Sequence, residues 1–553
     1  MKYIFVYYRS FVKIVTGVFF FSNAVSITYS EEIKTNISST KGMSGMGTVI
    51  TPESRISDSR TDFIITKGKR PGNGVNLFHS FDEFSIGNGD SAVFKRTDKF
   101  LTENIISRVT GQSPSHIDGL IRTQGYQVGV NLFLLNPQGI IFGENAKLDV
   151  DGAFHASTAD YVGFSEDNKK LFVNESKGKS SLATTPIASF GFLNSPQKIE
   201  IKTTDAIGVD PGHTISIIGG DVTIEKGGLK SPGGMINIAS AGSNGVIHFN
   251  NRDQSIFIQT DKIERFNKTT ILKDANVDIR STSGKSEAVQ SGVVIIAKDI
   301  VIDGGEITAQ ASEDSTGEES GTIKLIANNF SLTRGASVAA STAVERDGGD
   351  IIVVAKNSVV ISSSKDDSFG GPPVFSKISS TSSGPKRGNA GNIRIQSPEL
   401  TLKDGGRILA TSTGVGDAGN VELYIDQLKI SEGGLINNET TGSGSGGTVS
   451  IRGVDGLKAA NRLEIKGSPK PKGTTNLGRA GFNGEVESFP GGIESRTESD
   501  KAGGKIDLRA KAVEIDDEAQ ISAKSVGKDS GPSGQIRIIA EDSLSVSRGN
   551  STP

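Results

Sequence analysis

Apolar and polar residues alternate along most of this chain in short runs, and glycine separates the runs. The segment from Pro211 to Ser240 is the most regular. Ile215 and Ile217 alternate with polar residues, then Gly219-Gly220 interrupts; Val222 and Ile224 alternate, then Gly227-Gly228; Leu229 leads through Pro232-Gly233-Gly234 to Ile236 and Ile238. A period of two places every second side chain on one face of a strand. Glycine admits the backbone conformations that a sharp corner needs. The segment therefore predicts three short strands joined by glycine corners.

The same unit returns downstream. Gly321 opens Ile323 and Leu325, followed by Phe330 and Leu332, then Gly335 and Val338. Gly349 opens Ile351 and Val353, then Val359 and Ile361. Gly391 and Gly419 open two more copies, each ending in a glycine pair, Gly405-Gly406 and Gly433-Gly434. Gly447, Gly504 and Gly534 open others; the repeat is often about 28 residues, with longer gaps where polar loops intrude at 363–386 and 468–498. Three strands per unit, stacked unit on unit, predict an all-β, right-handed parallel β-helix in which each unit is one triangular rung. A β-sandwich or a propeller is the alternative. Propeller blades carry four strands and usually aromatic or Trp-Asp marks, and this chain has no Trp. One rung buries too few aliphatic side chains to offset the entropy of ordering its backbone, so the rungs must stack to be stable.

Val130 to Ala153 is the most informative run. Val130, Leu132 and Leu134 alternate; Asn136-Pro137-Gln138-Gly139 reads as a tight turn; Ile140-Ile141-Phe142-Gly143 follows, and then Leu148 and Val150. Pro presets φ, and Gly tolerates φ > 0, which is the chemistry of a turn. The run thus predicts strand, turn, strand, turn, strand. Asn136-Pro137-Gln138-Gly139-Ile140 with Phe142-Gly143 resembles the Asn-Pro-Asn-Gly-Ile signature of the two-partner secretion domain that heads filamentous haemagglutinin-like exoproteins. Asn76 to Phe81, Ser107 to Gly111, Ile117 to Leu120 and Gly219 to Val222 fit the same pattern in the same order, so the resemblance covers roughly residues 45 to 255. Gln138 stands where the family usually has Asn, and a second Asn-Pro-Asn-Leu motif is missing.

That resemblance implies a secreted or surface-exposed, adhesin-like exoprotein of a Gram-negative-type cell. Its N-terminal β-helical domain, residues 31–255, would be recognised by a separate, cognate outer-membrane barrel transporter, with Asn136, Pro137, Gln138, Gly139 and Ile140 as the secretion motif. For Asn136, a structural role and direct contact with the transporter both stand open. Residues 256–553 would form the β-helix repeat rod that exposes loops to a surface glycan or protein receptor. A structural surface or matrix scaffold is the second reading. A β-helix polysaccharide lyase or hydrolase is the third, and it needs carboxylates converging on one wall.

The remaining features refine this picture. Residues 1–30 look like a signal peptide: Lys2, Arg9 and Lys13 precede a short apolar core, Ile14 to Phe21, and small residues Ala24 and Ser26 follow. The alternative is an uncleaved anchor, although the apolar run falls short of the roughly 20 residues of a membrane span. Residues 31–45, rich in Ser, Thr and Lys, read as a flexible lead-in. Eighteen of the 26 phenylalanines precede residue 193, which predicts a bulkier, aromatic-stacked interior at the front. Asn76, Asn131 and Asn136 sit near strand ends, where buried amides cap turns or stack as ladders. The polar stretch from Ser165 to Lys179 reads as an excursion from the coil.

The formal net charge of −3 offers no field to attract nucleic acid. The chain has no Cys: either a disulfide-closed loop would obstruct threading through a pore, or a long repetitive core makes cross-links unnecessary. None of His79, His116, His155, His213 and His248 shows metal-site spacing, so metal hydrolysis has no support and no metal or cofactor is called for; no rung shows an unusual acidic cluster, so the chain is not read as an enzyme. Gly284-Lys285-Ser286 lacks the earlier Gly of a phosphate loop. Asp516-Asp517-Glu518 reads as a solvated corner. Leu544 and Val546 lie mid-rung just before Pro553, which reads as a fragment of a longer exoprotein or as a short member with a frayed end.

Overall fold

The computed structural model describes residues 33–55, 60–126, 129–165, 169–250, 256–257, 265–280, 291–311, 321–343, 347–363, 374–383, 388–468, 491–526 and 531–547. The signal segment, Gly284 to Ser286 and Arg548-Gly549 lie outside the described residues.

The chain from Ile33 onward forms one unit, an all-β coil of stacked rungs. The first face is a parallel ladder of Asn76–Ser85, Asn104–Val109, Asn131–Leu135, Phe154–Ser157, Thr214–Gly219, Met235–Ser240 and Gly292–Ile296. The second stacks Ser115–Ile117, Ile140–Phe142, Ile199–Ile201, Val222–Ile224, Lys268–Leu272 and Asp299–Asp303, again parallel. A third face begins with Ser91–Lys95, Leu120–Gln124 and Lys147–Asp149. It resumes with Ile207–Gly208, Gly227–Lys230, Ala275–Asp278 and Glu306–Ala311, and continues to Gln520–Ser525. This is the predicted parallel β-helix, and the first-face ladder passes residue 255 without a break.

Register explains the alternation. Ile271, Ile302, Leu332, Ile361, Leu402, Ile430, Ile465 and Ile515 stand one above another through consecutive ladders. Ile323, Ile351, Ile393, Val421, Val449, Ile506 and Ile536 form a second aliphatic stack. The recurring glycine at the start of several units also stacks. A Cβ on Gly391 would lie 2.3 Å from the carbonyl oxygen of Gly349, on Gly419 2.1 Å from that of Gly391, and on Gly447 2.1 Å from that of Gly419. These glycines serve close approach of backbone to backbone at the corner.

Four expectations need correction. From Thr322 on, the first two strands of most rungs are one long bent strand, as in Thr322–Thr333, Ile351–Ser362 and Ile393–Lys403. No glycine separates the two halves there. An irregularity in register between Ala327 and Asn329, and between Val354 and Ser358, turns the corner while the ladder continues, as a bulge does.

Residues 33–45 are not a flexible lead-in. Asn36–Ser39 pairs antiparallel with Asn76–Ser85, and the Thr40 N–H donates to the Ser80 carbonyl at 3.0 Å. Among the described residues no rung lies beneath the first, and this strand pairs with its open backbone groups. The Ser and Thr residues that suggested flexibility supply polar contacts; the Gly87 N–H, for instance, donates to Thr35 Oγ1 at 2.8 Å.

The excursion near Ser165 is larger than its polar part. Tyr161–Phe164, Lys170–Phe172, Ile187–Phe192, Gly245–Phe249 and Ile256–Phe257 form an antiparallel side sheet laid on the first face of the head. Phe78, Ile106, Phe133 and Ile218 point away from the coil interior into a second core with Val162, Phe164, Phe190, Phe192 and Ile247. First-face strands of the head are therefore buried on both sides, as in Asn104–Val109, where every residue is buried.

The chain also departs from three short strands at the last described rung. Gln535–Val546 is a single strand that, among the described residues, ladders only onto Lys505–Asp516, and Ile536, Leu544 and Val546 are exposed. The predicted aromatic interior of the head is present: Phe81, Phe84 and Phe94 pack edge-on or stacked, and Phe142 meets Phe154. Asp517 and Glu518 both take positive φ at a corner, as the acidic run predicted.

Candidate functional site at the Asn136 corner

Asn136 to Gly139 joins the strand Asn131–Leu135 on the first face to Ile140–Phe142 on the second. The local residues dictate the turn. Asn in the first position, Pro in the second and Gly in the fourth is the composition of a type I turn. The Gly139 N–H donates to the Asn136 carbonyl at 3.1 Å, and the Gln138 N–H donates to Asn136 Oδ1 at 2.9 Å. Gln138 thus enters the turn through its backbone, which accommodates Gln in place of Asn.

Asn136 is fully buried, and its amide reaches a neighbouring rung. Nδ2 donates to the Ser113 carbonyl at 3.1 Å and to Ser115 Oγ at 2.9 Å. Its backbone N–H donates to the Ser157 carbonyl on the other neighbour at 2.9 Å. The corner therefore fastens three successive rungs. Gly139 has φ +117, and an added Cβ would meet the Lys198 carbonyl oxygen at 3.3 Å and Pro114 Cβ at 3.6 Å. Ile140 is buried, and Pro137 and Gln138 are half-buried.

Asn104 Nδ2 donates to Asn76 Oδ1 at 2.9 Å, Asn131 Nδ2 to Asn104 Oδ1 at 3.0 Å, and the Ala153 N–H to Asn131 Oδ1 at 2.9 Å. This is the amide ladder anticipated from Asn76 and Asn131. Asn136 belongs to a separate corner. Asn104 was missed, yet its signal was in the sequence: asparagines at 76, 104 and 131 recur at the length of a rung. Gly143 closes the far end of the motif, where a Cβ would lie 2.4 Å from Asp118 Oδ1. Asp118 accepts in turn from the Asn145 N–H at 2.9 Å and from Asn145 Nδ2 at 3.1 Å.

Arg108, in the Ser107 to Gly111 motif, is 1% exposed and was given no role from sequence. Burial pulls its guanidinium below the usual range, opposed by the hydrogen bond and charge of Glu175. The signal available was a single charged residue inside the strand Asn104–Val109, whose other residues are uncharged. His79 and His155 are also buried. Desolvation lowers both to about 3, with the charge of Arg70 adding to the effect at His79. His79 Nδ1 lies 3.2 Å from Thr48 Oγ1, and His155 stacks on Phe133 with centroids 4.2 Å apart. They are wall residues. Among the described residues no group of three or more His, Asp or Glu side chains is placed to hold a metal ion.

Residues 45–296 match the family model of the TPS secretion domain. No curated protein matches the chain. Solved structures similar to it include two secretion domains. The HMW1 secretion domain from Haemophilus influenzae has 16% identity, with 90% of this chain and 99% of that one covered at a TM-score of 0.45. The filamentous hemagglutinin secretion domain has 12% identity, with 74% of this chain and 99% of that one covered at a TM-score of 0.24. The family matched over residues 45–296 is a secretion domain and not an enzyme family. The match over residues 45–296 supports the head as a TPS secretion domain, the N-terminal domain of a two-partner secretion exoprotein.

Proposed function

We propose that the chain is exported across the outer membrane by a separate barrel transporter that recognises the head, and that the rod then acts at the cell surface as an adhesin. The match of residues 45–296 to the TPS secretion domain carries the reading. Proteins with this domain are secreted by a two-partner route and recognised by a cognate outer-membrane transporter. Export needs a signal in residues 1–30, a head of about 31–255 for recognition, and a passenger, residues 256–553. Extended strands of the head would pair with transporter segments during passage, as in β-augmentation.

Within this reading, Asn136, Pro137, Gln138, Gly139 and Ile140 act through the fold. The burial of Asn136 and its contacts to two neighbouring rungs support that assignment. The stiff rod displays loops such as 453–459, where Leu457 is 81% exposed, to a glycan or protein receptor. Fractionation of native cells carrying Asn136→Ala with Gly139→Ala tests the motif: the product should stay in the periplasm. Normal export of the double variant would sink the role. Saturable binding of the purified rod to a defined surface glycan or receptor supports adhesion, and its absence would leave a scaffold.

A further inference from the structure

Arg108 stands where three parts of the head meet. Its Nε donates to Ser80 Oγ at 3.1 Å on the first rung, and Nη2 to the Ser44 carbonyl at 2.7 Å in the N-terminal cap. The other contacts come from the turn of the side sheet. Nη1 donates to the Phe172 carbonyl at 2.6 Å and to Ser180 Oγ at 3.3 Å, and Nη2 to Glu175 Oε1 at 3.1 Å. The guanidinium has five N–H donors, and these contacts engage all of them.

We propose that Arg108 is a folding latch: it holds the first face of the head open until residues 172–180 arrive, then locks cap, coil and side sheet into one cooperative unit. The physical reason is the charge. Contacts from residues 172–180 satisfy three of the five donors. Without them, a buried Arg108 would be a desolvated cation with most of its hydrogens unpaired, which is strongly unfavourable. Arg108 must then stay in water, and the outward-facing Phe78, Ile106 and Phe133 beside it stay uncovered. The arriving turn is preorganised. Asn174 Oδ1 accepts from the Ser176 N–H at 2.9 Å, the Val173 N–H donates to the Asp160 carbonyl at 2.8 Å, and Lys177 Nζ pairs with Asp160 at 2.6 Å. Resting on the export reading, a chain delivered N-terminus first would keep its front rungs open until residue 180 has emerged.

Refolding of the purified full-length chain, followed by pulsed hydrogen exchange, tests the latch without any transporter. In the unmodified chain, residues 36–48 gain protection in the same phase as residues 170–181. In Arg108→Met, the cap segment gains protection first, at least threefold faster than residues 170–181. Cap protection ahead of 170–181 in the unmodified chain, or an unchanged order in Arg108→Met, overturns the proposal. If Arg108→Met does not fold, Arg108→Lys keeps the charge and loses the fork. Equilibrium exchange of 36–48 and 170–181 should then rise together at least tenfold, while the rod ladder from Ile393 to Ile430 is unchanged. An equal rise in the rod would mark a general loss of stability and sink the latch.

Discussion

Asn136 has no polar group left over. Its carbonyl, side-chain oxygen, amide and backbone N–H are all engaged inside the coil. Asn136→Ala leaves the Gln138 N–H, the Ser113 carbonyl and Ser115 Oγ without these partners. The expected loss is about 2–4 kcal/mol, by the cost of buried groups left unpaired. Denaturant unfolding of the full chain measures it, and Gln138→Asn should lie within about 0.5 kcal/mol of the parent because only the backbone of Gln138 is used. The motif was legible because turn chemistry is local. The partners of Asn136 were not, because Ser113, Ser115 and Ser157 come from other rungs.

The buried histidines carry a prediction about pH. Folded His79 and His155 titrate near 3, while an exposed histidine titrates near 6.5. Below 6.5 the unfolded chain binds protons that the folded chain refuses. Stability is therefore full above 6.5 and falls as the pH drops toward 3, by up to about 1.4 kcal/mol per pH unit for each histidine. Unfolding midpoints between pH 6.5 and 5, where carboxylates contribute least, should flatten in a His79→Asn, His155→Asn double variant. An unchanged slope would refute the assignment.

At the scale of an element, the glycine that opens each unit is the clearest case of a sequence signal whose cause lay elsewhere. Its recurrence was plain at Gly391, Gly419 and Gly447. Corner geometry suggested conformational freedom, yet the constraint is the carbonyl of the glycine one rung below. Gly419→Ala should destabilise the rod by about 1–3 kcal/mol, the usual range for overpacking a filled site. Hydrogen exchange should show the loss concentrated in Ile393–Lys403 and Val421–Ile430. A uniform change along the rod would contradict it. The side sheet illustrates the converse. Its strands Tyr161–Phe164 and Ile187–Phe192 carry too little alternation to betray a buried strand, so only the polar tip stood out.

The molecule as a whole is one-dimensional in its energetics, because most contacts run to the rung above or below. Ile393 stands opposite Val421, so residues 393–420 are one period. Their removal brings Asn389 and Asn392 to the positions of Asp417 and Asn420, whose side-chain oxygens accept from the Ser445 and Thr448 N–H groups at 2.6 and 2.9 Å. The shortened chain should fold, with an unchanged β-sheet circular dichroism spectrum and a melting temperature within about 5 °C of the parent. Collapse of the fold would show that the rod is more cooperative than nearest-neighbour stacking allows. Removal of residues 104–130, a similar length in the head, takes out Arg108 and Asn104 and should not be tolerated.

The residues alone determined the strand period, the glycine punctuation and the Asn-Pro-Gln-Gly corner, because each depends on backbone preferences within a few positions. They also determined that the units must stack, since a single unit is too small to bury a core. Only the tertiary structure decided which groups meet across rungs: the amide ladder through Asn104, the five-way clasp on Arg108, the cap over the first rung and the sheet that hides its outer face. Those depend on side chains brought together from distant parts of the chain, and no local preference encodes a partner sixty residues away.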